Sequence, residues 1–456
     1  MTQLRPLIAV GVAVALLLAL MHVPGVPVKM LSAALLVVFA IVSWTFGLLP
    51  EPLTTMTFFL LIVLFRVASP EVVFSGFTSS AWWLLFGGSI TAIAVEITGL
   101  GKRLAALLFR RWTTYPQAVI AVAIASIGLA FVMPSTLGRI LLLMPIVIAY
   151  AEGLGLQRGQ SGWIGIIFTA AAVTYMPSTA ILPANIPNSI LMGAADTLYD
   201  VKLTYTPYLL LHFPVLGILK TAALIGIVCW FCPEPTRLRK ADTGALGPMS
   251  AEETRLSLIL AGSLLLYITD SLHGISPAWI ALGAGILCLL PPIGMIPTKV
   301  LSQKLNFVSL IYIAGILSIG AVVADSGLGE AISAKFLEIA HLTPGNTMTN
   351  VAAVAGIDFI LTTLTGVTGA PAVLTPVAGH LAEATGLPIL TVLMLEVIAF
   401  STVLLPYASP PTLIGLQMGG VKTEPATKML LALGFVTLVI LFPIDYAWWR
   451  LLGYLP

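Results

Sequence analysis

The sequence predicts an all-α membrane protein of about 11 transmembrane helices, arranged as two inverted-topology repeats. Hydrophobic residues make up 59% of the 456 residues and charged residues only 9%, whereas soluble domains carry roughly 25% charged residues. The chain also duplicates itself, because residues 138–156 align without gaps on residues 369–387 with seven identities in nineteen positions. Gly and Pro interrupt both copies, as in transporters that build a site at mid-membrane depth between two repeats.

Composition and motifs argue against several other classes of function. The formal net charge is +2 and no basic run is long enough to bind phosphates, so no nucleic-acid partner is expected. An intramembrane enzyme needs a nucleophile–base or metal constellation, and the sequence has no HExxH or GxSxG motif. An anion channel needs a continuous polar pore lining and is the less favoured alternative. We expect no enzymatic activity, no cofactor, and no metal other than sodium as a coupling ion.

Apolar runs and polar connections divide the chain into four parts. We expect an N-terminal transmembrane helix in residues 1–28, a first repeat in 29–232, a cytoplasmic linker in 233–255 and a second repeat in 256–456. Two long apolar regions are interrupted by Gly and Pro, which is tolerated at membrane depth only where the backbone is buried or lines a cavity. Each region is long enough for a re-entrant hairpin followed by a broken helix, and we expect the broken helices at 163–193 and 389–415.

Basic residues indicate which connections face the cytoplasm. The linker carries Arg237, Arg239, Lys240 and Arg255, and the loop 101–111 has four basic residues. The equivalent loop of the second copy, 329–348, has one Lys and two Glu, so it is expected on the opposite side. Opposite charge bias in equivalent loops is what an inverted repeat predicts.

The segment 132–145 contains the first candidate site. Ser135, Thr136 and the backbone at Gly138 supply hydroxyl and carbonyl groups where a helix is interrupted, and such groups coordinate a dehydrated cation. Arg139 lies inside an apolar run, and a charge at membrane depth is a candidate for a functional group. The alternative is that Arg139 pairs structurally or extends to the membrane surface.

The matching segment 364–376 contains the second candidate site. Thr365 and Thr368 offer hydroxyl groups, and Gly366 allows close approach of the backbone. Helix packing through small residues is the alternative explanation of this segment.

Two proline-rich segments, 177–189 and 405–415, complete the candidate constellation. Proline at membrane depth frees carbonyl groups, which suits a broken helix that lines a cavity. Asn185 and Asn188 are the candidate substrate ligands in the first segment, and Ser409 and Thr412 are their counterparts in the second. A simple kinked helix is the alternative.

Isolated ionisable residues suggest a route for coupling protons. Asp358 and His380 form a candidate proton relay. The other ionisable residues within or near apolar runs are more often structural or interfacial: Glu96, Lys220, Asp325 and Glu396.

Three segments together resemble the divalent-anion:sodium symporter (DASS) family of the ion transporter superfamily. They are FGGSITAIAVEITGLGKRLA (86–105), NIPNSI (185–190) and LPYASPPTLIG (405–415), and the resemblance covers the chain from about residue 50 to its end. It implies two re-entrant hairpins, at 117–155 and 350–386, a homodimer, and a hairpin-bearing part that moves like an elevator against a static scaffold. It also implies a multi-pass protein of the bacterial inner membrane.

The hairpin tips depart from the pattern of that family. Each family tip carries a Ser-Asn-Thr signature that binds sodium and the substrate carboxylate. The aligned triplets here are Ser135-Thr136-Leu137 and Gly366-Val367-Thr368, so only Ser135 and Thr368 match. Leu137 and Val367 have no side-chain ligand, which argues against sodium coupling at these tips. The guanidinium of Arg139 instead suits a carboxylate, sulfonate or sulfate group through paired hydrogen bonds.

We therefore expect a secondary active transporter that moves a small organic or inorganic anion by alternating access. Sodium, protons or exchange remain open as the means of coupling, and proton coupling or exchange through Asp358 and His380 is the main alternative. The candidate ion-coupling residues are Ser135, Gly138, Gly366, Thr368, Asp358 and His380.

Overall fold

The computed structural model describes residues 27–46, 48–109, 114–234, 247–331, 342 and 345–455, and most of these are helical. In this part of the chain, eight helices are long and apolar enough to cross a membrane, and four shorter apolar helices accompany them. The predicted all-α membrane fold is confirmed. The number of crossings and the inverted repeats stay predictions, and the helix expected within 1–28 lies almost wholly outside the described residues.

The first half of the described chain contains twelve helices, which we number in order. They are α1 (Val28–Phe46), α2 (Glu51–Leu64), α3 (Pro70–Val73), α4 (Ser75–Thr78), α5 (Ser80–Thr98), α6 (Leu100–Phe109), α7 (Tyr115–Val132), α8 (Thr136–Gly153), α9 (Ser161–Tyr175), α10 (Ile186–Tyr199), α11 (Tyr205–His212) and α12 (Lys220–Phe231). Two 3₁₀ turns, Pro177–Ala180 and Leu182–Ala184, separate α9 from α10. A stretch of π-helix, Phe213–Leu219, joins α11 to α12.

The second half continues the numbering. Its helices are α13 (Ala251–Ile268), α14 (Asp270–His273), α15 (Pro277–Leu289), α16 (Thr298–Lys304), α17 (Phe307–Asp325), α18 (Thr347–Leu374), α19 (Ala378–Thr385), α20 (Ile389–Phe400), α21 (Pro410–Met418), α22 (Thr423–Val436) and α23 (Phe442–Leu451). Helix α18 is kinked at Gly366. A 3₁₀ turn, Pro406–Ala408, precedes α21, and a π-helical stretch, Thr437–Leu441, precedes α23.

Helices occupy all four segments in which hairpins and broken helices are predicted, and those assignments stay predictions. Helices α7 and α8 occupy the segment of the first predicted hairpin, and α9 and α10 occupy that of the first broken helix. The kinked α18 and α19 occupy the second hairpin segment, and α20 and α21 occupy the second broken helix. Of the predicted linker 233–255, residues 235–246 lie outside the described part. Both broken helices are interrupted for about ten residues, 176–185 and 401–409.

A second group of helices packs closely without taking part in these interruptions. Helix α5 lies against α15 with little space between the two backbones. A Cβ atom added to Gly87 would lie only 2.5 Å from the Ala281 carbonyl oxygen, so this position requires glycine. Trp82 of α5 donates a hydrogen bond to the Leu310 carbonyl oxygen at 3.0 Å, which ties α5 to α17 as well.

An ion pair outside the membrane-spanning segments fixes α6 to the start of α13. Arg103 Nε donates to Glu253 Oε1 at 2.8 Å, and Arg103 Nη2 donates to Glu253 Oε2 at 3.0 Å. Glu253 also closes a capping box with Ser250 at the N-terminus of α13. The hydrogen bonds from Arg103, and then those from Ser250, lower the pKa of the Glu253 carboxyl below its usual value of 4.5. Such a paired carboxylate stabilises the fold only while it is ionised.

We predict that Glu253→Gln lowers the thermal unfolding temperature at neutral pH by roughly 2 °C. Because the folded-state pKa is lowered, the stabilisation is complete above the unfolded-state pKa and is lost as the pH falls through the folded-state pKa. The difference between wild type and variant should therefore shrink in acid. Thermal unfolding in detergent across this pH range measures it, with the exposed Glu252→Gln as the matched control. A difference that stays constant into strong acid would contradict the prediction.

Candidate functional site: two junctions of hairpin tip and broken helix

The first hairpin tip is a short extended segment between two helices. Helix α7 ends at Val132 and α8 begins at Thr136. Pro134 lies between them and lacks an N–H group for a helical hydrogen bond. The Ser135 hydroxyl accepts a hydrogen bond from the Gly138 N–H at 3.1 Å and so caps α8. The tip therefore presents free carbonyl groups on one side and the N-terminus of α8 on the other.

The first broken helix is interrupted by prolines and restarted by asparagine. Asn185 Oδ1 accepts from the Asn188 N–H at 3.0 Å and caps α10. The Asn188 side-chain amide fixes the interrupted backbone, because its Nδ2 donates to the carbonyl oxygens of Thr179 at 3.0 Å and Ile181 at 2.9 Å. Both asparagines are buried. The Asn185 Nδ2 and Asn188 Oδ1 atoms have no hydrogen-bond partner.

Arg139 joins the first tip to the first broken helix. Its side chain is completely buried, and Nη1 donates to the carbonyl oxygens of Met133 and, at 2.8 Å, Ala184. Nη2 donates to the Thr174 carbonyl oxygen at 3.0 Å and to Thr136 Oγ1 at 3.1 Å. Thr174 belongs to the last turn of α9, where the helix dipole favours a positive charge. We call residues 133–139 together with 174–188 the first junction.

The second tip lies beside the second broken helix. Gly366 has φ 76° and ψ 162°, a conformation that residues with a side chain rarely adopt. A Cβ atom there would lie 3.6 Å from the Ala408 carbonyl oxygen, so the kink of α18 faces the interrupted stretch before α21. Thr365 Oγ1 donates to the Leu361 carbonyl oxygen at 2.8 Å, and the Thr368 side chain hydrogen-bonds with Tyr312 of α17.

Lys220 holds the beginning of the second interruption. Its ammonium group is buried and donates to the Ser401 carbonyl oxygen at 2.8 Å, Ser401 Oγ at 3.0 Å and Thr402 Oγ1 at 2.9 Å. Ser401 directly follows α20, so this cation also lies at a helix C-terminus. Further along, the buried hydroxyls of Ser409 and Thr412 share a hydrogen bond of 2.9 Å. We call residues 365–368 together with 400–412 the second junction.

The two junctions are adjacent in space. The Tyr175 hydroxyl, at the end of α9, donates to the Phe400 carbonyl oxygen, at the end of α20, at 2.9 Å. Helix α21 packs against α8 and α9, and α10 packs against α18. Each junction therefore contacts helices that lead to the other one. The predicted site residues fall into these two groups: Ser135, Thr136, Gly138, Arg139, Asn185 and Asn188 at the first, and Thr365, Gly366, Thr368, Ser409 and Thr412 at the second.

Asp358 and His380, the two residues of the predicted proton relay, lie on different helices of the structure. Asp358 of α18 is buried, and it interacts electrostatically with the buried Glu396 carboxyl of α20. His380 lies on α19 and is half-buried. The relay between Asp358 and His380 stays a prediction.

Several residues of the junctions were not placed there by sequence reasoning. Lys220 stands out as a lone Lys in an apolar run, but nothing in the sequence connects it with residues 401–402. Asp445 of α23 is buried within electrostatic range of Lys220, and the sequence does not indicate this proximity either. The carbonyl groups of Met133, Thr174 and Ala184 carry no sequence signal, because every residue has one.

A small cavity adjoins the first junction. Its volume is about 20 Å³, and its lining includes Val132, Pro134, Pro183 and Tyr267. This space holds about one water molecule and is too small for a dicarboxylate. An anion therefore reaches the first junction by this route only if the surrounding helices move.

The broken helices, the polar tips and the multi-pass apolar fold define an integral membrane transporter. The family model described as the sodium:sulfate symporter transmembrane region matches residues 2–455. The chain belongs to this family, and the resemblance to the DASS family is confirmed.

Similar proteins agree with this membership. An L-tartrate/succinate antiporter of Escherichia coli strain K12 is 24% identical over 468 residues, which cover 96% of this chain and 90% of the relative. An uncharacterized transporter of Haemophilus influenzae is 24% identical over 455 residues, which cover 96% of this chain and 95% of that relative. A membrane protein of Cupriavidus necator is 25% identical over 265 residues, so the match spans about half of that relative, 52%.

A solved structure has a similar fold. The crystal structure of the Alcanivorax borkumensis YdaH transporter, described as having an unusual topology, matches with a TM-score of 0.55. The match covers 84% of this chain and 86% of that one, at 14% sequence identity. This likeness supports the fold alone.

We predict that Lys220→Met slows transport by at least roughly tenfold and lowers stability. The substitution removes the ammonium that holds Ser401 and Thr402, and it removes the positive charge within electrostatic range of the buried Asp445. Transport in proteoliposomes and thermal unfolding in detergent measure the two effects. Lys428→Met is the matched control, because Lys428 is exposed and pairs only with Glu424 on the same helix. Wild-type rates in Lys220→Met would show that the second junction does not depend on this cation.

Proposed function

We propose that this protein is a secondary active transporter that carries a small dianion of the dicarboxylate, sulfonate or sulfate type by alternating access. Membership in a family of anion transporters and the antiporter relatives support the class of substrate. The anion would bind between the two junctions. In this proposal, the hairpin-bearing part moves like an elevator against the remaining helices, and two copies form a homodimer.

The N-termini of the half-helices support an anion at this place. Helix α8 begins beside Ser135, α10 beside Asn185, and α21 beside Ser409. Helix N-termini attract negative charge through unpaired N–H groups and the helix dipole. The side chains proposed to contact the substrate are Ser135, Thr136, Arg139, Asn185, Asn188, Thr365, Thr368, Ser409 and Thr412. Among these, Asn185 Nδ2 is a buried donor without a partner, which a carboxylate oxygen would satisfy.

The guanidinium of Arg139 is the single observation that favours transport without sodium. In broken-helix transporters, free carbonyl groups and half-helix C-termini bind the coupling cation. Here the carbonyl oxygens of Met133, Thr174 and Ala184 already accept hydrogen bonds from Arg139. Lys220 makes the same kind of contact with Ser401 at the second junction. We infer that these resident cations take the place of sodium, although the family is named for sodium symport.

The position of Arg139 changes how its role is best understood. The sequence suggests direct binding of the anion, but the four hydrogen bonds recorded for its Nη atoms all go to protein oxygens. Its charge still acts on the site at short range, because a positive charge in a medium of low dielectric constant attracts an anion strongly. We propose that Arg139 attracts the substrate through its charge while it holds the tip in place.

Exchange of two anions is the second candidate function. It is favoured by the similarity to the Escherichia coli relative, which is an L-tartrate/succinate antiporter. Trans-acceleration of labelled succinate efflux by external succinate or tartrate would distinguish exchange from net uptake.

We predict that uptake of labelled succinate into proteoliposomes proceeds equally well in sodium, potassium and choline media. A resident guanidinium cannot leave its site, so external sodium has nothing to add at the first junction. Sulfate and an organic sulfonate serve as competing anions that define the substrate class. A steep, cooperative dependence of uptake on sodium would contradict the prediction and indicate sodium-coupled symport instead.

We also predict that Arg139→Ala lowers uptake by at least roughly tenfold, since it removes the charge and leaves buried carbonyl groups unsatisfied. Arg139→Lys keeps the charge with fewer donors, so it should retain part of the activity and remain independent of sodium. Arg158→Ala is the matched control, because Arg158 is exposed and pairs with Glu152 at the surface. Size-exclusion profiles of each variant separate loss of transport from loss of fold. Unchanged kinetics in Arg139→Ala would contradict the anion-site proposal.

A further inference from the structure

Two carboxyl groups lie buried together outside the hairpin tips. Asp358 is on the first arm of the kinked α18, and Glu396 is on α20, the first half of the second broken helix. Each is only 1% exposed. The two helices pack against each other, and the two carboxyls interact electrostatically. Neither group takes part in the junctions described above.

Several oxygen atoms around this pair have no hydrogen-bond partner. They are Asp358 Oδ2, Glu396 Oε1 and the Thr362 hydroxyl, which lies one helical turn beyond Asp358 on α18. The Thr362 side chain is itself buried. A buried polar atom without a partner is destabilising, so three of them on two packed helices indicate an occupant that the protein atoms do not supply.

The titratable groups that face Glu396 are acids and phenols. Tyr199 at the end of α10 and Tyr208 of α11 interact with it electrostatically. His212 of α11 contacts α20 through Met394 Sδ at 3.4 Å. Lys220 contacts the far end of α20 at Ser401. Among the ion pairs recorded for the described part of the chain, none includes Asp358 or Glu396.

Two adjacent carboxylates without a cation cannot both be ionised in such a place. Burial of one isolated charge is already expensive, and a like charge within electrostatic range opposes the second ionisation. The pair therefore titrates as a unit. One proton relieves the pair most simply, because it neutralises one of the two buried charges.

We propose that Asp358 and Glu396 form a proton-binding site and that a proton taken up there travels with the substrate anion. This inference rests on the proposed transport function and names its coupling ion. A hydronium ion at one membrane face gives up a proton, an O–H bond forms at Glu396 Oε1 or Asp358 Oδ2, and the charge of the pair becomes one unit less negative. The same O–H bond breaks at the other face, where the pair is exposed to water that solvates the carboxylates and accepts the proton.

The contacts of Glu396 explain how this proton would act on the moving parts. Glu396 Oε2 accepts a hydrogen bond from Thr375 Oγ1 at 3.0 Å, and Thr375 follows the second arm of α18. The Tyr199 hydroxyl donates to the Thr375 carbonyl oxygen at 2.8 Å and accepts from the Gly379 N–H at 3.1 Å. Protonation of the pair therefore changes contacts that join both arms of the second hairpin to the second broken helix.

The first experiment uses the full-length protein in proteoliposomes with a potassium–valinomycin clamp on the membrane potential. An inward pH gradient should drive accumulation of labelled succinate by the wild type, and an internal pH dye should record proton entry with the substrate. Asp358→Asn and Glu396→Gln mimic the protonated state. They should lose the effect of the pH gradient by at least roughly tenfold while keeping succinate counterflow. Glu383→Gln, an exposed acid on the neighbouring α19, is the matched control and should behave as wild type.

The outcomes separate this inference from the proposed function. Counterflow without any effect of the pH gradient would overturn the proton site and leave the transporter intact. Accumulation driven by a sodium gradient, and lost in both variants, would overturn it in favour of a bound sodium ion. Absence of succinate, sulfate and sulfonate transport in the wild type would overturn the proposed function itself.

A second measurement needs no substrate. The infrared spectrum of the purified wild type at neutral pH should contain a C=O stretching band of a protonated carboxyl group. That band should change in Asp358→Asn and in Glu396→Gln, and it should stay the same in Glu383→Gln. A wild-type spectrum without such a band, or one that neither variant changes, would overturn the proton site.

Discussion

The placement of the Arg139 guanidinium is the interaction on which the first junction depends. A permanent positive charge is completely buried in an apolar bundle, and carbonyl oxygens from three separate segments surround it. Those carbonyls lie at the hairpin tip, at the end of α9 and just before α10, close to the prolines that interrupt the helices. The interrupted backbone would be unstable without a donor, and the charge would be unstable without the acceptors. Each therefore makes the other possible, which explains why a charged residue and a cluster of prolines occur together.

At the second junction a different buried cation, Lys220, donates hydrogen bonds to the interrupted backbone. Lys220 reaches it from α12, a helix outside the hairpin and the broken helix, whereas Arg139 belongs to its own tip. The π-helical stretch just before Lys220 shifts the register of the chain, as such insertions often do at functional sites. The two junctions thus share interrupted helices but receive their cations from unrelated positions in the chain. This difference is consistent with the loss of matching side chains at Gly366 and Val367.

Much of the fold was predictable because hydropathy and proline placement act locally. The interruptions at 176–185 and 401–409 follow directly from residues that cannot continue a helix. The charged partners were not predictable, since the contact between Lys220 and Ser401 joins residues 181 positions apart. Likewise, nothing in the sequence indicates that Glu396 lies near Asp358, because only the packing of α18 against α20 brings the two residues together. Backbone acceptors such as the Thr174 carbonyl cannot be predicted from the sequence, because every residue has a carbonyl group.

The hydrogen bond from Tyr175 to Phe400 has a mechanical consequence. It connects the last turns of α9 and α20, the two half-helices whose C-termini face the resident cations. A displacement of either half-helix along its axis is passed to the other through a bond between rigid elements. In the proposed elevator motion, the C-terminal ends of α9 and α20 would then move together, with no change in their separation. The dipoles of these two half-helices would keep the same orientation relative to the bound anion throughout that motion.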